Sequence, residues 1–145
     1  MRYQLRQFQL DDYETVVRMI HELYKETMSH KVINPIYFYY KEVMEWINRG
    51  YHIIVATRDN KVVGFSMSYV NDTRGLTESI YQCEYCYVDK EYRNTRASHL
   101  LYNNAFNKGK DLGLMVSVTN SIDNGMSDMV EKHFGHSPKF TIMEG

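Results

Sequence analysis

An α+β fold, one mixed and mostly antiparallel sheet flanked by helices, is the architecture this sequence predicts. Three observations carry it. Short runs of β-branched and aromatic residues with period two alternate with longer runs whose apolar residues recur at three and four. Three of the strand-like runs, over 51–57, 61–70 and from Ser79 onward, follow one another with only a turn or a loop between them, as in an antiparallel meander. The stretch 81–113 then reads strand, turn, helix, and another short apolar run follows it.

The chain opens on residues 2–10, where Tyr3, Leu5 and Gln7 alternate with Gln4, Arg6 and Phe8, the pattern of an edge or half-buried strand. Asp11 and Asp12 follow as capping candidates, and Tyr13, Val16, Val17, Ile20, Leu23 and Tyr24 recur at helical spacing. The helix is expected to end within 28–35, which holds one of only two prolines. A second helix is expected over 36–48, stopped by Arg49 and Gly50. Its aromatic residues, Tyr37 to Tyr40 and Trp46, exceed what a short helix buries in one core. It therefore either packs under the sheet or lines part of a pocket.

The strands over 51–57 and 61–70 are joined by Arg58, Asp59 and Asn60, with Asp and Asn as favoured turn residues. A polar loop over 71–78 leads to the fourth strand, which ends near Val88, and a helix is expected from Ser98 to the region of Gly109 and Gly113. A fifth strand over 114–119, a last helix over 124–133 and a last strand over 138–143 complete the order.

A chain of 145 residues is about one domain in length and can bury a real core. Its 17 basic and 18 acidic residues nearly cancel, which excludes an overall charge attraction to nucleic acid or to a membrane. The first residues have no apolar secretion core, and no apolar run approaches the roughly 20 residues of a membrane span. A cytoplasmic protein with neither nucleic-acid nor membrane partner is the expectation. Cys83 and Cys86 form a C-x-x-C pair, but residues three apart on a strand point to opposite faces and no second pair completes a four-ligand site. No metal is therefore expected.

The turn after the fourth strand, D-K-E-Y-R-N-T-R-A-S, sets Arg93 and Arg96 around small and polar residues where a helix begins. Unpaired backbone N–H groups, the positive end of the helix dipole and two fixed charges suit such a corner to a phosphate or pyrophosphate; the bland alternative is two solvated arginines.

The run C-Y-V-D-K-E-Y-R-N-T-R-A-S-H-L-L-Y resembles motif A of the GNAT superfamily of N-acetyltransferases, whose usual form is L-Y-V-x-P-x-Y-R-x-x-G-x-G before a Leu-rich helix. It is a variant form: Lys90 stands where Pro is common, Arg96 where the first Gly is usual and Ser98 where the second is. The resemblance implies a single domain with a splayed sheet and acetyl-CoA as co-substrate. It implies that Cys86, Tyr87 and Val88 lie along the pantetheine arm, and that Arg93, Asn94, Thr95, Arg96, Ala97 and Ser98 form the pyrophosphate loop. The family's last-helix pattern, N-x-x-A-x-x-L-Y-E-x-x-G-F, is met by 124–136, in which Asn124 agrees and is assigned to the co-substrate, while Glu131 stands in the place of the usual general-acid Tyr.

Acyl transfer from a thioester to an amine needs a neutral amine, donors for the developing oxyanion and a proton for the leaving thiolate. The donors can be backbone N–H groups where the fourth strand splays from the fifth. Strict alternation sets Gln82, Glu84, Cys86 and Val88 on one face of the fourth strand and Tyr81, Cys83, Tyr85 and Tyr87 on the other. Glu84 is the strand's one carboxylate and the candidate base, with Gln82 at the position some family members use. A salt bridge from Glu84 to a neighbouring strand is the structural alternative.

Two functions follow: an N-acetyltransferase acting on a primary amine, with Asp11, Asp12 and Glu22 favouring a cationic acceptor, or a non-catalytic module of the same fold that binds a protein partner through its tyrosine-rich surface. Members of the family commonly pair, so a homodimer is a further expectation.

Overall fold

Strand order in space follows strand order in the chain. The structure, a computed structural model, describes residues 2–27, 34–72, 79–120 and 140–142. Its strands are β1 (Tyr3–Gln7), β2 (His52–Arg58), β3 (Lys61–Asn71), β4 (Ile80–Val88), β5 (Met115–Asn120) and β6 (Phe140–Ile142), laid side by side in that order. β1 to β4 are antiparallel neighbours, and β4–β5 and β5–β6 are parallel. The helices are α1 (Tyr13–Thr27), α2 (Ile36–Asn48) and α3 (Arg96–Asp111). This is the mixed, mostly antiparallel sheet with flanking helices that the sequence predicts. The helix expected over 124–133 lies outside the described residues. Among the described residues no helix is long and apolar enough to cross a membrane.

Each face of the sheet carries its own core. On one, Val16, Val17, Ile20 and Leu23 of α1 and Tyr39, Val43 and Trp46 of α2 pack on Val55, Phe65, Met67, Tyr85 and Tyr87. On the other, Ala97, Leu101, Tyr102 and Ala105 of α3 pack on Ala56, Val63, Tyr81, Cys83, Cys86, Val88 and Val118. The aromatic run of α2 thus divides, with Tyr39 and Trp46 under the sheet and Tyr37 and Phe38 exposed. Gly109 lets α3 close on β5, because a Cβ there would stand 2.2 Å from Val116 Cγ2. The β2–β3 turn places Asp59 and Asn60 at φ 50° and 72°, the left-handed pair of a two-residue hairpin that matches strand twist.

The corner before α1 is built differently from the expected cap. Leu10–Asp12 forms a short 3-10 turn whose N-cap is Gln9, and Asp12 reaches back to accept the Gln9 N–H at 2.8 Å. Its carboxylate also takes both terminal nitrogens of Arg6, at 2.7 and 2.9 Å. The Arg6 hydrogen bonds hold its pKa below the usual 3.8, against the opposing effect of burial. A lowered carboxylate pKa adds stability that is complete above the unfolded value and lost as pH falls through the folded one. Asp12→Ala should therefore cost about 1–2 kcal/mol at neutral pH, the exposed side of Arg6 limiting the effect. Thermal melts of both proteins across the acid range should converge as pH drops below 3.8.

A second stability effect has the opposite sign. Tyr102 is fully buried and its hydroxyl has no hydrogen-bond partner among the described residues. Tyr102→Phe is expected to stabilise the fold by about 1 kcal/mol, read as a higher denaturant midpoint at unchanged slope.

Candidate active site

Strict alternation along β4 fails at one residue. Met67 pairs with Tyr85 but its neighbour Ser68 pairs with Cys83, so Glu84 is an extra residue, a β-bulge. Before it Tyr81 and Cys83 face α3; after it Tyr85 and Tyr87 face α1 and α2 while Cys86 and Val88 face α3. The faces expected from the sequence are corrected accordingly. Cys83 and Cys86 share a side because the bulge adds one residue to a period of two. Both are buried free thiols, and burial pushes Cys83 up to about 11, where it is neutral at physiological pH.

The bulge coincides with the place where the sheet opens. β4 and β5 pair only from Ile80↔Met115 to Cys83↔Val118. From Glu84 onward β4 has β3 on one side and, among the described residues, no strand on the other. A bulge increases local twist, which accounts for the parting of the strands. Gln82 lies inside the paired stretch, opposite Ser117 and Tyr69, and is 7% exposed. Cys86, Tyr87 and Val88 are almost wholly buried, so this edge presents backbone rather than side chains to the gap.

The open edge runs into a corner held by Arg93. Arg93 Nε donates to Val88 O at 2.8 Å, and its Nη2 donates to both oxygens of Glu26 on α1 at 2.9 and 2.8 Å. The same guanidinium lies 5.2 Å from the centre of the Tyr87 ring. These bonds tie the end of β4 to α1, so Arg93 acts first as a strut. Asn94 turns the chain at φ 61° and is exposed. Thr95 is the N-cap of α3, accepting from Ala97 N at 3.3 Å and donating to Tyr92 O. The helix therefore starts at Arg96, two residues before the expected Ser98. Ala97 and Ser98 are buried by side chain, and Arg96 is exposed at the helix start.

Beside the bulge is a group of carboxylates and tyrosines that sequence reasoning did not assemble. The Tyr24 and Tyr85 hydroxyls are 2.7 Å apart, and Tyr85 donates to Glu42 Oε1 at 3.0 Å. Glu42 Oε2 is buried with no partner among the described residues. Burial raises the pKa of Glu42, and the charges of Glu84 and Glu45 raise it further against the Tyr85 hydrogen bond. Burial alone raises Glu84, which makes no salt bridge among the described residues. Tyr24 is pushed up to about 12, chiefly by burial. One signal for Glu42 exists in the sequence: it shares the helical face of Tyr39, Val43 and Trp46, an acid on an apolar stripe.

The expected acidic acceptor residues fall elsewhere. Asp12 is taken by Arg6, and Glu22 pairs with Lys25 at 3.3 Å. Asp11 is exposed in the turn before α1. Asn124 and Glu131 lie outside the described residues.

The chain matches the acetyltransferase (GNAT) family over residues 17–136. No match to a curated protein was found. A possible acetyltransferase from Clostridium difficile 630 superposes with a TM-score of 0.74 at 21% identity, over 100% of this chain and 97% of that one. Glucosamine-6-phosphate N-acetyltransferase from Arabidopsis thaliana does so with a TM-score of 0.72 at 16% identity, over 100% and 98%. A transcriptional regulator from Bacillus halodurans C-125 gives 0.72 at 14% identity, over 99% of each chain. At these identities the likeness is one of fold.

Proposed function

Because this chain belongs to the acetyltransferase (GNAT) family, we propose that it moves an acetyl group from acetyl-CoA to a primary amine, on a small molecule, a peptide N-terminus or a lysine side chain. The observation that carries the reading is the backbone edge of β4, which from Glu84 has no strand partner among the described residues and leads to the start of α3. A backbone edge of this kind can hydrogen-bond an extended amide arm as a strand would, and a helix start suits phosphate. Asn94, the backbone at the start of α3, where Thr95 caps only the Ala97 N–H, and the exposed Arg96 are the groups for the pyrophosphate. Arg93 holds the corner from behind.

In the reaction the amine nitrogen attacks the thioester carbonyl carbon. Backbone N–H groups at the open edge stabilise the resulting oxyanion, and the C–S bond then breaks to release CoA thiolate. Glu84 receives the proton the amine gives up, and its desolvated position keeps its affinity for a proton above that of a surface carboxylate. The thiolate takes its proton from water or from Glu131. The Tyr24–Tyr85–Glu42 chain lies within electrostatic reach of Glu84 and favours a cationic acceptor.

Incubation of the purified chain with acetyl-CoA and a panel of alkylamines, peptides and amino sugars, reading free thiol, tests the proposal. Amine-dependent thiol release supports it. Tight acetyl-CoA binding with no release on any amine would favour the non-catalytic module instead.

A further inference from the structure

A cavity of about 550 Å³ lies away from the corner, between the end of β1, the start of β2 and the C-terminal half of α3. Twelve residues of α3 separate Arg96 from Lys108 on its wall, which at the helical rise is about 18 Å. Its polar lining is Arg6, Gln7, Tyr51, His52, Asn104 and Lys108, joined by the hydroxyl of Tyr81; among the described residues no carboxylate lines it. Leu5, Phe8, Ile47 and Ile54 supply an apolar wall.

The charges on this lining are unequal in availability. Arg6 is neutralised by Asp12 at 2.7 Å, whereas Lys108 is exposed and has no ion-pair partner among the described residues. His52 Nδ1 lies 2.8 Å from the Tyr81 hydroxyl. With Nδ1 engaged by Tyr81, Nε2 is the ring nitrogen left for a ligand. Burial and the Lys108 charge both hold His52 in its neutral form. What remains is one uncompensated cation, the neutral polar groups of Gln7, Tyr51, His52 and Asn104, and hydrocarbon. That set matches a single negative charge on an apolar body.

We propose that this cavity is a binding site, separate from the β4–α3 corner, for a small organic monoanion: a carboxylate met by Lys108 and Asn104, on a short hydrocarbon body that lies against Phe8, Ile47 and Ile54. The volume is within the range of small-molecule sites, and the mixture of apolar wall and few convergent polar groups is their usual make-up. A second phosphate-type charge would have no partner here, since Arg6 is already paired. The site does not depend on acetyl transfer.

Titration of the isotope-labelled full chain with hexanoate, followed by amide chemical shifts, tests the assignment. Shifts are expected at His52, Asn104 and Lys108, with hexanamide binding at least about tenfold more weakly because it lacks the charge. Lys108→Gln, a surface change, should weaken hexanoate by about tenfold and leave hexanamide unaffected. Equal binding of hexanoate and hexanamide, equal binding by the variant, shifts confined to residues 84–98, or no shift up to the solubility limit would each overturn the proposal.

Discussion

Glu84→Gln is expected to lower turnover by roughly 10²–10⁴-fold while leaving acetyl-CoA binding intact. The amide is isosteric, so the bulge and its packing persist, but it cannot hold the proton that the amine gives up. Burial raises the carboxyl above its ordinary value of 4.5, and a base must be deprotonated to act. In the parent, kcat/KM should therefore rise with pH along a limb that lies above 4.5, and Glu84→Gln should lose that limb. A Gln variant that turns over at the parent rate would remove Glu84 from the chemistry. Glu42 would then be the next carboxylate to test, since it is also raised by burial and is joined to Tyr85.

Arg93→Ala should cost about 2–4 kcal/mol of stability, the second large effect. Arg93 and Glu26 are only 15% and 16% exposed by side chain, and the substitution leaves Glu26 with the distant Lys90 at 3.9 Å and strips Val88 O of its donor. Loss of this strut frees the end of β4 from α1, so affinity for acetyl-CoA and for S-acetylpantetheine should fall together. A direct phosphate ligand would behave otherwise, weakening acetyl-CoA and sparing the ligand without phosphates. Chemical denaturation gives the first quantity and calorimetry with the two thioesters gives the second. Parent-like stability combined with a selective loss of acetyl-CoA would assign Arg93 to the phosphates.

Where local chemistry decided the structure, the sequence was a good guide. α2 spans the expected 36–48 because Pro35 stands at its start and Gly50, at φ 71°, follows its last turn. The β2–β3 turn forms where Asp59 and Asn60 tolerate positive φ. Reading failed where a distant partner decides. The bulge at Glu84 depends on which β3 residue faces which β4 residue, and nothing in Y-Q-C-E-Y-C-Y-V marks the residue to be left over. Arg93 reads as a free charge beside a helix start until Glu26, 67 residues away, takes its Nη2. Tyr24 and Tyr85 are 61 residues apart and Tyr85 and Glu42 are 43 apart, so the polar chain beside the bulge exists only in the folded sheet. Thr95 could have been seen: it is a favoured cap residue directly before the helix, and the two arginines around it drew the reading toward charge instead.

Calorimetric titration of the purified chain with acetyl-CoA tests the central claim most directly, namely that the open edge of β4 and the start of α3 form a co-substrate site. Micromolar binding is predicted, weakened by Arg96→Ala in a protein that still melts at the parent temperature. No detectable binding at millimolar acetyl-CoA would contradict the account.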